Sequence, residues 1–531
     1  MNGIIAGSKK LGSGSYGIIY DMGDNKAFKF FTSTPHNPNI KMDINTIPQF
    51  DHDLLSEISC IKSVYENDSD QKFKIFDICD KLPYLGFSMP KYDIDLDNYI
   101  RKNKATERII RDIIYQILII LTQAQYKFII HRDLKPHNIL LNRVEDTFEV
   151  AIIDWGLGTF RYSKSVTLVG HNVQTIWYRS PEQFLNIYIN NSKIDIWSLG
   201  IIILELISGT IGFLNGMTER DQIQKLFGLF GVPTETSMLH SFYKALRKYN
   251  ITTIHNNLFD IDTYFARYHM SIGLANLVKR MLKLNPYERF SPEDALCDPY
   301  FSDYIKYPRS SIIDIINNYR ILPIDSVYVL IHNKDYVEKR HEYIKLLYEQ
   351  QALFCMYEMD KYDFLMILKL MDSYLSMNEI DNSKYILDEL FVGAFFIIYE
   401  NKYHIRINHN NWCSVKSGFK LDIDYNRCQI AGNDLLRYVN YNIYFSTFLL
   451  YDKLFKILDF DVLLKYNRYI YICMSRFDIA FKYDKMIYGS IIHLLCDEFD
   501  KYPILNDLRK QLPYDKAIFD IIGNTMKKLK N

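Results

Sequence analysis

The stretch HRDLKPHNIL, His131 to Leu140, constrains this chain more than any other. It places one acid, Asp133, two residues before a lysine, Lys135, and five before an asparagine, Asn138. Downstream comes DWG, Asp154 to Gly156. An ordinary loop around a buried aspartate would not reproduce these side chains at these offsets by chance. The chain around them has 531 residues, long enough for about two to four domains. Hydrophobic residues make up 48% and charged residues 24%, so large cores can be buried and the chain should be globular. A formal net charge of zero offers no basic field for nucleic acid. The eight cysteines form no CxxC pair and no metal-ligand spacing, which reads as reduced thiols inside a cell. The start, MNGIIAGSKK, is too short and polar for a signal peptide, and apolar runs such as Leu390 to Tyr399 have about half the length of a membrane span. The expectation is a soluble intracellular protein, cytoplasmic or nuclear, with neither membrane nor nucleic acid as partner.

LGSGSYGII, Leu11 to Ile19, is a second signal. Glycines at 12, 14 and 17 let a β-hairpin lie close over phosphates and offer backbone N–H groups to them. Alone the pattern is weak; lying roughly 120 residues before HRD makes it strong. Lys29 in KAFKFF follows, with Lys26 as a nearby competitor and Phe28 and Phe30 flanking it as core-facing or ligand-facing neighbours. Leu54, Leu55, Ile58 and Ile61 recur at helical spacing, which predicts an amphipathic helix over about Asp51 to Val64 with Glu57 in it.

Together these motifs resemble those of protein kinases, an α+β bilobal fold. The resemblance implies ATP and Mg2+ as cofactors. Leu11, Gly12, Ser13, Gly14, Ser15, Tyr16, Gly17, Ile18 and Ile19 would cover the nucleotide, and Lys29 would grip its phosphates and pair with Glu57. Asp133 would orient the substrate hydroxyl and accept its proton, while Asn138 and Asp154 would hold magnesium. Lys135, in the DLKP pattern of Ser/Thr kinases, would stabilise the transferring phosphoryl group. Thr175, in TIWYRSPEQF, would bond Asp133 and Lys135, and Glu182 would pair with a distant arginine, for which Arg289 is the candidate. Asp195 of DIWSLG would brace the backbone of the loop. Trp155 in place of the usual Phe should not impair catalysis.

YLGFSM and PKYDIDL should form the strand and hinge that bind adenine. One register puts Phe87 at the gatekeeper position and Pro90 where an N–H is needed. The other puts Met89 there, with Pro90 offering its carbonyl and Tyr92 its N–H. Proline has no N–H, which favours Met89. In the larger lobe, Ile109, Ile110, Ile113, Ile114, Ile117, Leu118 and Leu121 form the stripe of a core helix.

Several stretches narrow the resemblance to cyclin-dependent kinases: LSEISCIK around Glu57, WYRSPE with Arg179, and FLNGMTERDQIQKLFGLFGVPTE, Phe213 to Glu235. Members with this arginine commonly prefer proline after the phosphorylated residue. The kinase resemblance covers residues 5–301, with a small lobe at 5–89, a hinge at 90–96 and a large lobe at 97–301. One departure stands out. The activating phosphothreonine position is Gly170, and of its three arginine receptors only Arg132 remains, the others being Ser56 and Thr159. The implication is a kinase that needs no phosphate there. A one-residue shift would instead offer Thr167 or Ser165. Ser15 and Tyr16 fall where the family carries inhibitory phosphates.

A linker is expected at 302–336. Beyond it the chain is rich in helical apolar stripes, which reads as an all-α domain. Tyr362 to Ile405 resembles the central helices of a cyclin box, with LMDSYLS at a characteristic helix end, Ser373 replacing an arginine, and Lys402 matching the lysine that cyclins place near the kinase regulatory helix. LLRYVNYNI, Leu435 to Ile443, fits a fifth helix, although Gly432 stands where a glutamate normally works with that lysine. The expectation is a cyclin-box-like domain at 337–445 and a second, degenerate five-helix repeat at 446–531, against a generic helical bundle. Tethered in this way, a cyclin-like half would act on its own kinase or on a neighbour's. Protein serines and threonines, with proline next, would be the substrates.

Overall fold

The computed structural model describes residues 9–14, 17–31, 52–65, 73–79, 86–126, 129–157, 159–160, 176–185, 187, 192–255 and 257–304. Further along it describes 361–377, 385–403, 421–438 and 484–498, with short pieces at 336, 339–340, 342–343, 412, 416, 419, 469, 509–510, 516, 519–520 and 522–524. The chain divides into two units, one of Met1–Ile44 and Phe50–Arg309, the other of Asn45–Gln49 and Ser310–Asn531. The expected linker, 305–335 of it, lies outside the described residues, as do Ser15, Tyr16, Ser165, Thr167, Gly170 and Thr175.

The first unit opens with a five-stranded antiparallel sheet in the order β1-β2-β3-β5-β4. Its strands are β1 (Lys10–Gly14), β2 (Gly17–Gly23), β3 (Lys26–Phe31), β4 (Ile78–Cys79) and β5 (Gly86–Pro90). Helix α1 (His52–Tyr65) accompanies it and buries Glu57, Ile58, Ile61 and Val64. The helix thus ends one residue past the sequence expectation. Gly86 has to be glycine, because a Cβ there would lie 2.1 Å from the Lys29 carbonyl oxygen.

After β5 the chain runs through β6 (Ile94–Asp95) into α2 (Leu96–Lys102), which Asp95 caps by accepting from the Asn98 N–H. The long helix α3 (Glu107–Tyr126) buries Ile110, Ile113, Ile114, Ile117, Leu118 and Leu121, the stripe read from the sequence, with Ile109 at its edge. Strand β7 (Ile129–Ile130) pairs with β10 (Thr159–Phe160), and β6, β8 (Ile139–Val144) and β9 (Thr147–Ile152) form a three-stranded sheet with β9 at one edge. A short α4 (Pro181–Phe184) precedes α5 (Lys193–Ser208), an almost wholly buried helix that ends on Gly209 in the left-handed conformation. Helices α6 (Glu219–Phe230), α7 (Thr236–Lys248), α8 (Ile261–Arg267), α9 (Ile272–Met281) and α10 (Pro292–Leu296) complete the larger lobe.

The second unit, in its described residues, is helical: α11 (Lys361–Met377), α12 (Leu387–Tyr403), α13 (Tyr425–Tyr438) and α14 (Asp484–Glu498). Helices α12 and α13 approach at glycines. A Cβ on Gly393 would lie 2.6 Å from the Gly432 nitrogen and 2.7 Å from the Cys428 carbonyl oxygen. Asp372 on α11 is sealed from solvent and held by Arg340 at 3.0 Å through two guanidinium nitrogens, with the Tyr336 hydroxyl as a third partner. A buried charge needs such partners. Tyr343 stacks on Phe391 at 4.2 Å, and Arg427 grips Glu389. Lys402 lies within α12, but its side chain is not among those described. Among the described residues, no helix is long and apolar enough to cross a membrane.

Candidate active site

Strand alternation sorts the residues of β3. Lys29 shares a face with Ala27; Lys26, Phe28 and Phe30 take the other. The Lys29 Nζ lies 2.7 Å from both carboxylate oxygens of Glu57 and 2.7 Å from Oδ1 of Asp154. Lys29 and Glu57 are both buried. Burial alone would lower the lysine pKa, but the two carboxylates outweigh it and hold Lys29 above its ordinary value. Burial likewise opposes ionisation of Asp154, and Lys29 overrides it to hold that carboxyl below its ordinary value. Lys26 is exposed, with its ammonium over the Phe76 ring. The expectation that Phe28 and Phe30 could be ligand-facing is corrected by the same alternation: they pack on each other at 4.4 Å, away from the Lys29 face.

The hairpin before Lys29 pairs Gly12 with Ile19, Ser13 with Ile18 and Gly14 with Gly17. Leu11 is exposed, and Ile18 and Ile19 are half-buried. In β5, Phe87 pairs with Lys29 and Met89 with Ala27. Both share the Lys29 face and both are buried, with Met89 two residues nearer the hinge. Past Pro90, the Lys91 N–H donates to the Asn25 carbonyl at 2.8 Å, and Tyr92 follows.

Helix α5 orients the loop 131–138. Both oxygens of Asp195 accept at 2.8 Å, one from the His131 N–H and one from the Arg132 N–H. Arg132 has a φ of 69° and Asp154 a φ of 64°, left-handed values that cost energy outside glycine and persist where surrounding contacts impose them. Within the loop, Lys135 reaches Asp133 at 2.6 Å, and the Asn138 amide nitrogen donates to the Asp133 carbonyl at 2.9 Å. The His131 and Trp155 rings meet edge-on with centroids 4.6 Å apart, and the His131 Nε2 lies 3.0 Å from the Ile153 carbonyl. The site therefore holds a partly exposed carboxylate beside an ammonium, and a second carboxylate beside another. Because Asn138 turns its side-chain nitrogen to Asp133, its side-chain oxygen Oδ1 faces other partners. With the Asp154 carboxylate this gives oxygen donors of the kind Mg2+ takes, so the residues present fit that ion.

Next to the loop, Tyr178 of WYRSPE donates to Glu205 at 2.8 Å, and the N–H groups of Gly212 and Phe213 donate to the same carboxylate at 2.7 and 3.0 Å. Burial pushes the Glu205 carboxyl up to about 7. Sequence reasoning passed over Glu205; the signal was a lone acid in the apolar run IIILELI. It also passed over Tyr65, the next position on the Ile58–Ile61 stripe, whose hydroxyl bonds the backbone of Ile152. Glu182 and Arg289 are joined as expected, at 2.6 and 2.8 Å.

Comparison with known proteins agrees with this geometry. The family described as protein kinase domain matches residues 5–301, more than half of the chain. Cyclin-dependent kinase 11 of Dictyostelium discoideum is 38% identical over 194 residues, which cover 36% of this chain and 51% of that protein. Serine/threonine-protein kinase ppk23 of Schizosaccharomyces pombe is 31% identical over 299 residues, covering 55% of this chain and 71% of that protein. Probable cyclin-dependent kinase 8 of D. discoideum is 28% identical over 333 residues, covering 56% and 80%. With a family match across residues 5–301 and these relatives, the chain belongs to the protein kinase family, among its serine/threonine kinases.

Proposed function

We propose that this kinase transfers the γ-phosphoryl group of ATP to protein serine or threonine hydroxyls followed by proline, and that its C-terminal half acts as a tethered, cyclin-like activator. The observation that carries the catalytic part is the convergence of Glu57 and Asp154 on Lys29, with Asp133, Lys135 and Asn138 grouped in the adjoining loop. In this reading Met89 and the N–H of Tyr92 frame the adenine, while the 11–19 hairpin covers the phosphates. Lys29 holds the α and β phosphates and is itself aimed by Glu57. Asp133 orients the substrate hydroxyl and takes its proton at a carboxylate oxygen. Lys135 balances charge on the moving group, and Thr175 bonds both. Asn138 and Asp154 would hold Mg2+, which when bound neutralises charge on the phosphate oxygens.

The regulatory part is supported by the Tyr362–Ile405 resemblance, by the buried Asp372 of its LMDSYLS stretch, and by relatives whose names carry cyclin dependence. Lys402 is the residue assigned to the contact with the helix bearing Glu57. A tether of about 30 residues gives an effective concentration near the millimolar range, so a weak contact suffices. Gly170, Ser56 and Thr159 fit a switch that works without loop phosphate.

A cleavable site inserted within 302–336 of the full chain tests this. Uncut protein should phosphorylate a Ser-Pro peptide in preference to Ser-Ala, and Asp133→Asn should not. After cutting, activity should fall on dilution as the halves part. Undiminished activity in dilute cut protein would reject cis activation and leave the second unit as a docking or structural module. Transfer that survives Asp133→Asn would reject the catalytic assignment.

A further inference from the structure

Strand β9 is the edge of its sheet, and its last residue, Ile152, is fully buried. The Ile153 N–H donates to the Asn138 carbonyl at 2.9 Å, which makes Ile139 and Ile152 a non-hydrogen-bonded pair. The N–H and C=O of Ile152 therefore point away from β8, where no strand among the described residues meets them. Buried backbone groups require partners. The Tyr65 hydroxyl supplies both, accepting from the Ile152 N–H at 2.8 Å and donating to its carbonyl at 3.0 Å. A hydroxyl suits this position because it donates and accepts at one atom. The Trp155 indole N–H donates to the same carbonyl at 2.9 Å. A phenylalanine in the DWG turn would have no such donor.

Three elements thus meet at the backbone of one residue, Ile152. Tyr65 ends α1, two turns beyond Glu57. Ile152 ends β9, two residues before Asp154. Trp155 is the centre of the turn. We propose that the Tyr65 hydroxyl is a positioning group for phosphoryl transfer, locking α1 to β9 so that Glu57 and Asp154 stay convergent on Lys29, with the Trp155 indole fixing the turn to the same carbonyl. The helix is held from within the kinase unit as well as by anything that binds it from outside.

The inference rests on the roles assigned above to Lys29, Glu57 and Asp154, and Lys29→Met in parallel tests those separately. Full-length Tyr65→Phe loses one oxygen atom. Its kcat should fall about tenfold with peptide KM unchanged, as expected for a lost buried hydrogen bond felt in the transition state. Amide exchange in the 147–152 segment should quicken. Tyr264→Phe is the control: it removes a comparable hydroxyl bond, 2.8 Å to the Leu204 carbonyl, far from Lys29 in sequence, and should keep its kcat. Trp155→Phe should lower kcat less than Tyr65→Phe, because the carbonyl retains Tyr65. An unchanged kcat in Tyr65→Phe, or an equal loss in Tyr264→Phe, overturns the proposal. Should Tyr65→Phe fail to fold, an unchanged kcat in Trp155→Phe does the same. Transfer that persists in Lys29→Met overturns the site assignment, and this inference with it.

Discussion

Arg289 grips Glu182 through two hydrogen bonds, 2.6 and 2.8 Å long, across 107 residues of chain, with both side chains sealed from water. The guanidinium also reaches the carbonyls of Lys283, Lys193 and Leu284. It therefore ties the end of the WYRSPE stretch to the start of α5 and to the loop after α9. Removing one partner leaves a buried charge without its counterpart. Arg289→Ala should lower unfolding free energy by about 3–5 kcal/mol. Urea denaturation at constant pH measures it, and a loss under about 1 kcal/mol would mean that water replaces the arginine.

Asp133→Asn keeps the shape of the side chain and removes its basicity. Transfer should fall by about 10²–10⁴-fold, the usual worth of a positioned base. Thermal stability should change little, since Asp133 is partly exposed. Steady-state assays on peptide, paired with a melting curve, separate lost chemistry from lost folding.

Glu205 predicts a pH dependence of stability. Its folded pKa, about 7, lies above the ordinary 4.5. Between those values the folded chain keeps a proton that the unfolded chain has released. Stability from this group is therefore complete below about pH 4.5 and declines as pH rises through about 7, by on the order of 3 kcal/mol. Glu205→Gln should flatten this stretch of the profile. Its carbonyl can accept from Gly212 and Phe213 while its nitrogen turns to the Tyr178 oxygen. Denaturation midpoints at pH 5 and pH 8 make the comparison; an unchanged slope would assign the titration elsewhere.

In the second unit, Gly393→Ala should destabilise more than Gly432→Ala. The first Cβ would stand 2.6 Å from backbone nitrogen, the second 3.0 Å from backbone oxygen. Prising the two helices apart should cost about 1–3 kcal/mol. Circular dichroism melts of the full-length variants rank them, and equal stability would show that α12 and α13 can slide.

The loop 131–138, Asp154, Lys29 and Glu57 were legible because phosphoryl chemistry demands particular residue types at fixed offsets. Asp195 and Arg289 were legible only through resemblance, since nothing local announces a partner so far along the chain. Tyr65 was hidden because a tyrosine on an apolar stripe looks like one more ring, and its hydroxyl matters only where a bare strand edge faces it. Phe28 and Phe30 were left between core and ligand for want of the strand's phase, and their packing on each other decides for the core. Gly432 appeared as a lost glutamate; the fold supplies a different reason, since a Cβ there would crowd the Gly393 carbonyl oxygen at 3.0 Å. That contact joins two helices, and no window of sequence contains both.

Asp195 holds the N–H groups of His131 and Arg132 from a helix that the ribosome delivers more than sixty residues later. A nascent or partly melted chain can carry the whole HRDLKPHN sequence and still lack its working shape. Activity in this protein is therefore a report on completed assembly of the larger lobe: until α5 docks, the loop has its side chains but no geometry, and an immature kinase is kept silent by its own topology.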